Sequence, residues 1–543
     1  MDIDETMDTQ SSELIDSQME TEEPSTLEFS QSLIGTPRAI KVNDLQALLK
    51  SLHEQLKELD QNVNKESLKT VTQELIHKQI MKSPNKTVKA LAACCIADII
   101  RLHAPHCPYS LAELKNIFKF FVDQLSYFGK DTPDFPYHFY LLENLQSVKT
   151  FLLLNEIDSA EDVVFPMVAE FFDVTAKATL PRNVELCMTD VLIQLIEDVN
   201  ILGQEMTELL LEQFERFDKG SKNPAYLMTL DICYACTGSL QRRICQYFSD
   251  ILLSVSNSSS DQNEDLEEVR KAHHLMRKIN SATPDLLLNA MPLLQEEMKV
   301  DHMNIRQLAT ETLGEMFAEE ASYVAEKYPN IWKTWLGRRN DKAQSLRVKW
   351  LEACVDIYKH HPESVPELIE CFKEKFTDPD DKVRATACKI MKEIGIEHDS
   401  ASMDKHLIEL VGARAKDKKN VVRIEAMATI GTIYNNCYQR IKANDKLTIE
   451  KTGWIPDLVL SCLYLGDLSV QANIEFILHK YIFPEDDNDA ERTERLVTVV
   501  DSLKDKQKTA FLALLQKQKL FNENMMTYVE MCENHVCIQV EIC

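Results

Sequence analysis

The apolar residues of this chain recur every three or four positions from about residue 41 onward. In LQALLKSLHEQLKEL, the leucines from Leu45 to Leu59 fall on one face of a helix at this spacing. Segments of the same kind follow one another, separated by short polar stretches. Because a period near 3.6 residues is that of an amphipathic helix, the pattern predicts a chain built almost entirely of α-helices.

A second, longer period lies over the helical one. The segments DHMNIRQLATETLGEM, NDKAQSLRVKWLEACV, DPDDKVRATACKIM and DKKNVVRIEAMATI each place an arginine after a polar turn and an apolar residue or near equivalent. These arginines are Arg306, Arg347, Arg384 and Arg423, and an earlier copy, PNKTVKALAACCIADI, has Lys89 instead. HEAT and armadillo repeats have periods of about 40 to 47 residues. The spacing therefore predicts an all-α, HEAT-repeat (ARM-like) superhelical solenoid.

The repeat arginines have two interpretations. In a stacked array, each arginine can bridge to an acidic residue of the adjacent repeat, because repeats stack through contacts that recur in every unit. Asp378 and Asp417 can then cap the helices that follow them. Small residues such as Ala387 and Ala426 allow neighbouring helices to approach. Direct binding of a ligand by the arginines is the alternative, and the structural role is favoured.

Charge and polarity divide the chain into regions. Residues 1–40 hold ten acidic residues and one basic residue, which predicts a disordered acidic tail. Residues 41–530 form the predicted solenoid, with polar loops near 256–268 and 484–494. The last residues, 531–543, lose the helical period without a polar cap, so we expect a truncated or atypical end there.

Composition narrows the possible classes of protein. A length of 543 residues exceeds the roughly 250 to 300 at which a single core stops growing, which suits an array. The net charge of -27 argues against general affinity for nucleic acid or anionic membrane. The sequence shows neither a signal peptide nor an apolar run long enough to span a membrane. The fifteen cysteines are expected to be reduced and largely buried.

The sequence contains no motif of a familiar catalytic site. It lacks phosphate-binding glycine loops, a nucleophile elbow and a zinc-protease signature, and its 12 glycines make a phosphate-cradling loop improbable. Cys233 and Cys236 lie one turn apart in a helical pattern, which is typical of core cysteines. We therefore predict a protein that is not an enzyme. An enzymatic interpretation would rest only on histidines and cysteines without an assigned role.

One short segment, RLHAPHCPYS, has three possible interpretations. His103, His106 and Cys107 could bind zinc, but no second Cys-x-x-Cys pair completes a site, and no metal is expected. A catalytic loop has no further support. Pro105 and Pro108 restrict the backbone to extended geometry. The segment is then a rigid apolar ledge ending in a tyrosine, which is a shape that favours the docking of a peptide.

Basic residues also recur in phase with the repeats. Lys342, Lys382, Lys418 and Lys419 each precede a repeat arginine by a few positions. Stacking would align them along one ridge of an otherwise acidic solenoid. Such a ridge could contact phosphate or an acidic peptide, although solvated lysines at turns are the simpler interpretation.

Several long segments resemble one family. They are SPNKTVKALAACCIADIIRLHAPHCPY, FYLLENLQSVK, DLLLNAMPLLQEEM, WLGRRNDKAQSLRVKWLE and RIEAMATIGTIYNNC. Together they resemble the cohesin-associated sister-chromatid cohesion proteins named for precocious dissociation of sisters, protein five, from about residue 41 to 530. The resemblance implies a HEAT-repeat regulatory subunit, usually about twice this length, that binds the kleisin of cohesin. Such proteins help to maintain cohesion and, together with the Wapl release factor, to remove cohesin from chromatin.

The resemblance also implies functional residues. The loop of Ala104, Pro105, His106, Cys107, Pro108 and Tyr109 is similar to the family's dock for short peptides of Wapl and of protectors such as sororin. The family commonly has an acid and then a small residue where His106 and Cys107 stand. Kleisin contact carries over only to the region 454–481, where Trp454, Tyr464 and Tyr481 are candidate anchors or core residues.

The resemblance also has implications for localisation, partners and cofactors, and one alternative function remains. The resemblance implies a nuclear, chromatin-associated protein of cell division and DNA repair, with a cohesin acetyltransferase as a further partner and no membrane contact. Some members bind inositol hexakisphosphate, but no cluster of bases here matches that site, and no other cofactor is expected. The rival function is a generic HEAT scaffold, for example a nuclear transport adaptor or a phosphatase scaffold.

Overall fold

The computed structural model describes most of the chain, and the described residues form twenty-six α-helices. They contain no β-strand, although Ser25 and Val63 form an isolated parallel bridge. The chain divides into two compact units, Met1–Arg243 and Ile244–Cys543. The prediction of an all-helical fold is confirmed. The described ranges are 24–35, 40–129, 133–177, 179–199, 202–256, 263–397, 400–465, 468–484 and 488–541.

The first unit is a succession of paired helices in which α1 packs on α4, α4 on α6, and α6 on α8. Its helices are α1 (Val42–Glu58), α2 (Lys65–Leu75), α3 (Lys78–Met81), α4 (Lys86–His103), α5 (Leu111–Leu125), α6 (Phe135–Ser147), α7 (Ala160–Ala176), α8 (Arg182–Glu197), α9 (Gln204–Arg216) and α10 (Pro224–Ala235). A 3₁₀-helix, Thr150–Glu156, lies between α6 and α7, and α11 (Thr237–Ser256) contains the division between the units.

The second unit repeats this arrangement. Its helices are α12 (Asn263–Ala282), α13 (Met291–Glu297), α14 (Met303–Ala318), α15 (Val324–Lys327), α16 (Pro329–Gly337), α17 (Gln344–His360), α18 (Val365–Lys375), α19 (Asp381–Glu397), α20 (Lys405–Arg414), α21 (Asn420–Lys442), α22 (Lys446–Thr452), α23 (Ile455–Ser461), α24 (Leu468–Ile477), α25 (Asp489–Ser502) and α26 (Asp505–Glu541). The 3₁₀-helices are Pro284–Leu287, Arg338–Asn340, Pro362–Ser364, Ser400–Ser402 and Cys462–Leu465, and Leu478–Ile482 is a π-helix.

The second helices of successive repeats pack directly on one another. α14 contacts α17, α17 contacts α19, and α19 contacts α21. Ala387 of α19 and Ala426 of α21 are buried, as expected of small residues where helices approach closely. The forty-residue period in the sequence therefore corresponds to this stack.

Arginine–aspartate pairs join consecutive repeats of the second unit. In each pair, Nε and Nη2 of the arginine donate to both carboxylate oxygens, and Nη1 donates to backbone carbonyls that precede the arginine's own helix. This geometry satisfies the planar guanidinium fork. The structural interpretation of the repeat arginines is confirmed for three of them. The pairs are Arg306–Asp341, Arg347–Asp378 and Arg384–Asp417, with N–O distances from 2.8 to 3.1 Å.

The paired aspartates do not act as the helix caps that the sequence suggested. Asp378 accepts a hydrogen bond from the backbone N–H of Asp380 at 3.0 Å, inside the turn that precedes α19. Asp380 itself lies directly before the helix and accepts from the N–H groups of Lys382 and Val383. At α19, the acid that bonds the first turn of the helix and the acid that binds the arginine are therefore different residues.

The N-terminal region differs from its prediction in one part. Residues 24–35, which the sequence assigns to the disordered tail, pack along α2 without forming a helix, with Leu27 and Leu33 buried. Apolar burial explains the difference, because this part of the acidic region carries two leucines that the helices can cover. The rest of the predicted tail, apart from residue 40, lies outside the described residues.

The predicted polar loops differ from the structure in part. Residues 263–268 belong to α12, and residues 489–494 belong to α25. Residues 257–262 and 485–487, the middle of each predicted loop, lie outside the described residues. At the end of the chain, helix α26 continues to Glu541, although the apolar period of the sequence is lost from residue 531; the expectation of a truncated or atypical end stays a prediction. Where the burial of their side chains is described, most polar residues of these helical segments are exposed, among them Glu267, Glu268, Glu491 and Glu494.

Candidate peptide-docking site

The loop at residues 104–109 connects α4 to α5. It begins with two backbone hydrogen bonds, from Ala104 N to Arg101 O at 3.3 Å and from His106 N to His103 O at 3.0 Å. Pro105, His106 and Pro108 are exposed, whereas Ala104 and Cys107 are half-buried. The loop therefore presents two prolines and an imidazole to solvent from a backbone that is fixed at its first turn.

The sequence predicts that Tyr109 forms the end of a rigid apolar ledge, but in the structure its side chain turns into the core. Its side chain is only 7% exposed, and its hydroxyl has no hydrogen-bond partner among the described residues. Burial raises the pKa of Tyr109, so the phenol stays protonated. The tyrosine anchors the loop from below and offers little surface to a partner.

A cap signal in the sequence accounts for this orientation. Ser110 and Glu113 form a capping box at the start of α5, with Glu113 Oε2 accepting from Ser110 N at 2.9 Å. The residue before the N-cap and the fourth residue after the N-cap commonly pack together as a hydrophobic staple. Here those residues are Tyr109 and Leu114, and both are buried. Recognising Ser-x-x-Glu after the tyrosine would have predicted an inward side chain.

A buried aspartate organises the helix that leads to the loop. Asp98 is fully buried in α4, and its Oδ1 accepts from Tyr140 Oη at 2.7 Å, Asn144 Nδ2 at 2.8 Å and Arg101 Nε at 3.2 Å. Its Oδ2 lies 3.5 Å from His53 Nδ1. The cluster ties α1, α4 and α6 together. A single acid inside an apolar helical run is the sequence signal for such a network, because buried charges need partners.

The same network fixes the end of α4 against the first helix. Arg101 donates to the carbonyls of Leu56 and Leu59, at the end of α1, at 2.8 and 2.9 Å, where helical carbonyls need partners from outside the helix. Burial, followed by the neighbouring Asp98 carboxylate, raises the pKa of Tyr140, so its phenol remains a hydrogen-bond donor to the carboxylate. The loop consequently leaves a rigid helix end.

Burial shifts the pKa of two ionisable groups at and beside the loop. Burial lowers the pKa of His103, and its Nδ1 lies 2.8 Å from Ile99 O. Burial likewise raises the pKa of the Cys107 thiol, so at neutral pH it is not a thiolate nucleophile. Among the described residues, no group of three His, Cys, Asp or Glu side chains could hold a metal ion.

The three aromatic candidates for kleisin contact separate into two kinds. Trp454 donates from Nε1 to Lys451 O at 2.8 Å, and its ring lies where a Cβ on Gly412 would be. The ring of Tyr481 packs in the same way against Gly431. Tyr464 is 63% exposed, although its hydroxyl donates to Lys506 O. Of the three, only Tyr464 is largely exposed to solvent.

The four candidate ridge lysines are all exposed and stand just before α17 or α21, or in the first turn of α19. Lys342 forms an ion pair with Asp301 at 2.9 Å. The other three make no side-chain ion pair or hydrogen bond within the described parts of the chain. Their equivalent positions in successive repeats follow from the stack. The residues are Lys342, Lys382, Lys418 and Lys419.

Stacked helix pairs whose arginines bind an acid of the next repeat define a HEAT-like helical solenoid, a class of protein that offers extended surfaces to other proteins. A family model described as "Sister chromatid cohesion protein PDS5 protein" matches residues 43–541. The chain belongs to this family. In the described residues, no helix is both long enough and apolar enough to cross a membrane.

Known relatives agree with this assignment. Sister chromatid cohesion protein pds5 of Schizosaccharomyces pombe is 27% identical over 526 residues, which cover 94% of this chain and 43% of the relative. Human PDS5 homolog B is 28% identical over 426 residues, which cover 77% of this chain and 28% of the relative. The chain thus spans less than half the length of these relatives. A solved Pds5–Scc1 complex has the same fold, with a TM-score of 0.82 at 23% identity over 90% of this chain and 76% of that chain.

Proposed function

We propose that this protein is a non-enzymatic regulatory subunit of cohesin that binds kleisin and controls sister chromatid cohesion in the nucleus. The observation that carries the proposal is the family match over residues 43–541. The relatives are named sister chromatid cohesion proteins, and one solved relative is a complex with Scc1. A solenoid with many exposed helical faces suits such a role, because it holds an extended segment without closing around it.

We further propose that the loop of residues 104–109 docks short peptides of Wapl and of sororin-type protectors. Its exposed surface consists of Pro105, His106 and Pro108, and Tyr109 supports them from the core. The Asp98 network holds the loop rigid, which lowers the entropy lost on binding. Release and protection factors then compete for one surface, and their effect on cohesin depends on their difference in affinity.

Kleisin binding belongs to the second unit in this proposal. Tyr464 is the candidate anchor, since aromatic side chains with exposed rings dominate many interfaces. Trp454 and Tyr481 support the surface by packing against glycines of neighbouring helices. The two peptides would then bind at separate places, so each can be tested by variants that leave the other site intact.

Titration calorimetry on residues 1–543 tests the proposal with a kleisin peptide and a Wapl N-terminal peptide. We expect Tyr464→Ala to weaken the kleisin peptide by roughly tenfold or more, and the double variant Pro105→Ala, Pro108→Ala to weaken only the Wapl peptide to a similar degree. Tyr109 is unsuitable for this purpose, because removing a buried side chain destabilises the loop itself. Wild-type protein that binds neither peptide would overturn the proposal.

The charge of the loop gives a second test. The resemblance places an acid near His106, so His106→Glu is expected to tighten binding of a basic peptide and to make its affinity more sensitive to salt. The same substitution at His406, an exposed residue of α20, is the matched control. Equal effects of both variants would mean that overall charge, and not the loop, attracts the peptide.

A further inference from the structure

Residues 24–35 form a strap that crosses the outside of α2. At one end, Ser25 N donates to Asn62 O at 3.1 Å, and Asn64 N donates to Ser25 O at 2.8 Å. Leu27 N then donates to Ser67 Oγ at 3.2 Å, with the leucine side chain buried. The strap contains no helix, so side-chain burial and bonds to the neighbouring turn and to α2 hold it in place.

A single carboxylate clamps the other end of the strap. Oε1 of Glu74 accepts from Ser32 Oγ at 2.7 Å, and Oε2 accepts from Leu33 N at 2.7 Å. The serine is exposed, whereas the neighbouring Leu33 is only 1% exposed. The clamp therefore holds a buried leucine in position through a hydroxyl group that solvent and enzymes can reach.

One turn of the chain is hydrogen-bonded both to the strap and to the helix that precedes the docking loop. The turn that bonds Ser25 also bonds the end of α4, because Gln61 Nε2 donates to Arg101 O at 3.3 Å and Lys65 Nζ donates to Leu102 O. The docking loop follows this helix end within two residues. A change in how firmly the strap is seated can thus reach the loop through the turn at residues 60–65.

We propose that Ser32 is a phosphorylation site whose modification releases the strap and loosens the docking loop. A protein kinase would transfer the terminal phosphoryl group of a nucleoside triphosphate to Ser32 Oγ, with loss of the hydroxyl proton and departure of the nucleoside diphosphate. The effect on the loop rests on the docking function proposed above. Release of the strap itself does not.

The charge change explains the direction of the effect. Phosphoserine carries about -1.5 to -2 at neutral pH and has no hydroxyl hydrogen to donate. Glu74 would lose its bond from Ser32 and face a second anion across a hydrogen-bond distance, which is repulsive. Ser30, two residues earlier, is also exposed but makes no hydrogen bond with any described residue. A phosphate there would not oppose the clamp.

Hydrogen exchange on the full chain tests the inference, with phosphoserine incorporated at position 32 during translation. We expect amide exchange in residues 24–35 and 60–65 to accelerate by roughly tenfold or more, and exchange in residues 101–106 to rise less. Phosphoserine at position 30 is the matched control and should leave these rates unchanged. Combining phosphoserine 32 with Glu74→Gln should restore part of the protection, since the substitution removes the repelling charge.

The outcomes separate the two proposals. Unchanged exchange in the strap would overturn the inference. Faster exchange in the strap with unchanged affinity of the Wapl peptide would disprove the link to the loop. If the unmodified chain binds no peptide while the strap still opens, the docking function fails and the phosphorylation switch stands.

Discussion

At the scale of single residues, the repeat arginines show why one residue type recurs. Arg306 offers a planar fork that meets both oxygens of Asp341, while its remaining nitrogen reaches the carbonyls of Val300 and Asp301. Burial alone would raise the pKa of Asp341, but hydrogen bonds from Arg306 and from the N–H of Ala343 hold it below its usual value. A lysine cannot make these contacts together.

Replacing Arg306 with alanine should destabilise the second unit strongly. Both side chains of the Arg306–Asp341 pair are 3% exposed, so removing the arginine leaves a buried carboxylate with weaker compensation from Arg338. We expect a loss of roughly 3 kcal/mol in the free energy of unfolding, measured by urea denaturation. Lys342→Ala, which breaks the exposed pair with Asp301 between the same two repeats, should change little. Similar losses in both variants would show that burial does not set the strength of these pairs.

Tyr109 gives a second prediction at this scale. Its buried hydroxyl makes no hydrogen bond with the described residues, so Tyr109→Phe removes an unsatisfied polar group and keeps the ring. The free energy of unfolding should stay the same or rise by up to about 1 kcal/mol. Tyr109→Ala should lower it by about 3 kcal/mol, because it opens a cavity. A clear loss of stability in the phenylalanine variant would reveal a partner for the hydroxyl.

At the scale of helices, the periodicity of the sequence predicts both the helices and the way in which they stack. The three-to-four residue spacing correctly predicts α-helix, and the forty-residue spacing predicts the stack of α14, α17, α19 and α21. The strap at residues 24–35 could not be predicted in this way, since an extended segment that packs on a helix has no period of its own. The prolines alone do not predict the inward turn of Tyr109, because that orientation depends on the helix cap that follows.

Close contacts between helices should make one glycine irreplaceable. A Cβ on Gly412 of α20 would lie 2.6 Å from Cη2 of Trp454, so Gly412→Ala must displace the indole or the helix. We expect a loss of roughly 1 to 3 kcal/mol in thermal or urea unfolding. Gly337→Ala is the control, because nothing lies within 4 Å of the added Cβ. A neutral Gly412→Ala would mean that the tryptophan moves freely and is available to a partner.

At the scale of the whole molecule, two features follow from composition. The net charge is -27, so the four lysines of the predicted basic ridge are exceptions on an acidic protein. Of their structural properties, only their exposure to solvent could be predicted from the sequence. The cysteines could be assigned to helices from the sequence, but their individual burial depends on which helical face meets a neighbour. Nine cysteines of the described residues are buried, whereas Cys532 on α26 is exposed.

These thiols allow unfolding of the two units to be followed separately. Burial raises the pKa of Cys94 in the first unit and of Cys354 in the second, so both should resist alkylation until their unit unfolds. In Arg306→Ala protein, pulsed alkylation read by mass spectrometry should label Cys354 at a lower urea concentration than in wild type. Cys94 should keep its midpoint, because each unit has its own core. Cys532 should react at once in every sample and control for reagent. Equal shifts at Cys94 and Cys354 would instead show that the array unfolds as one cooperative body.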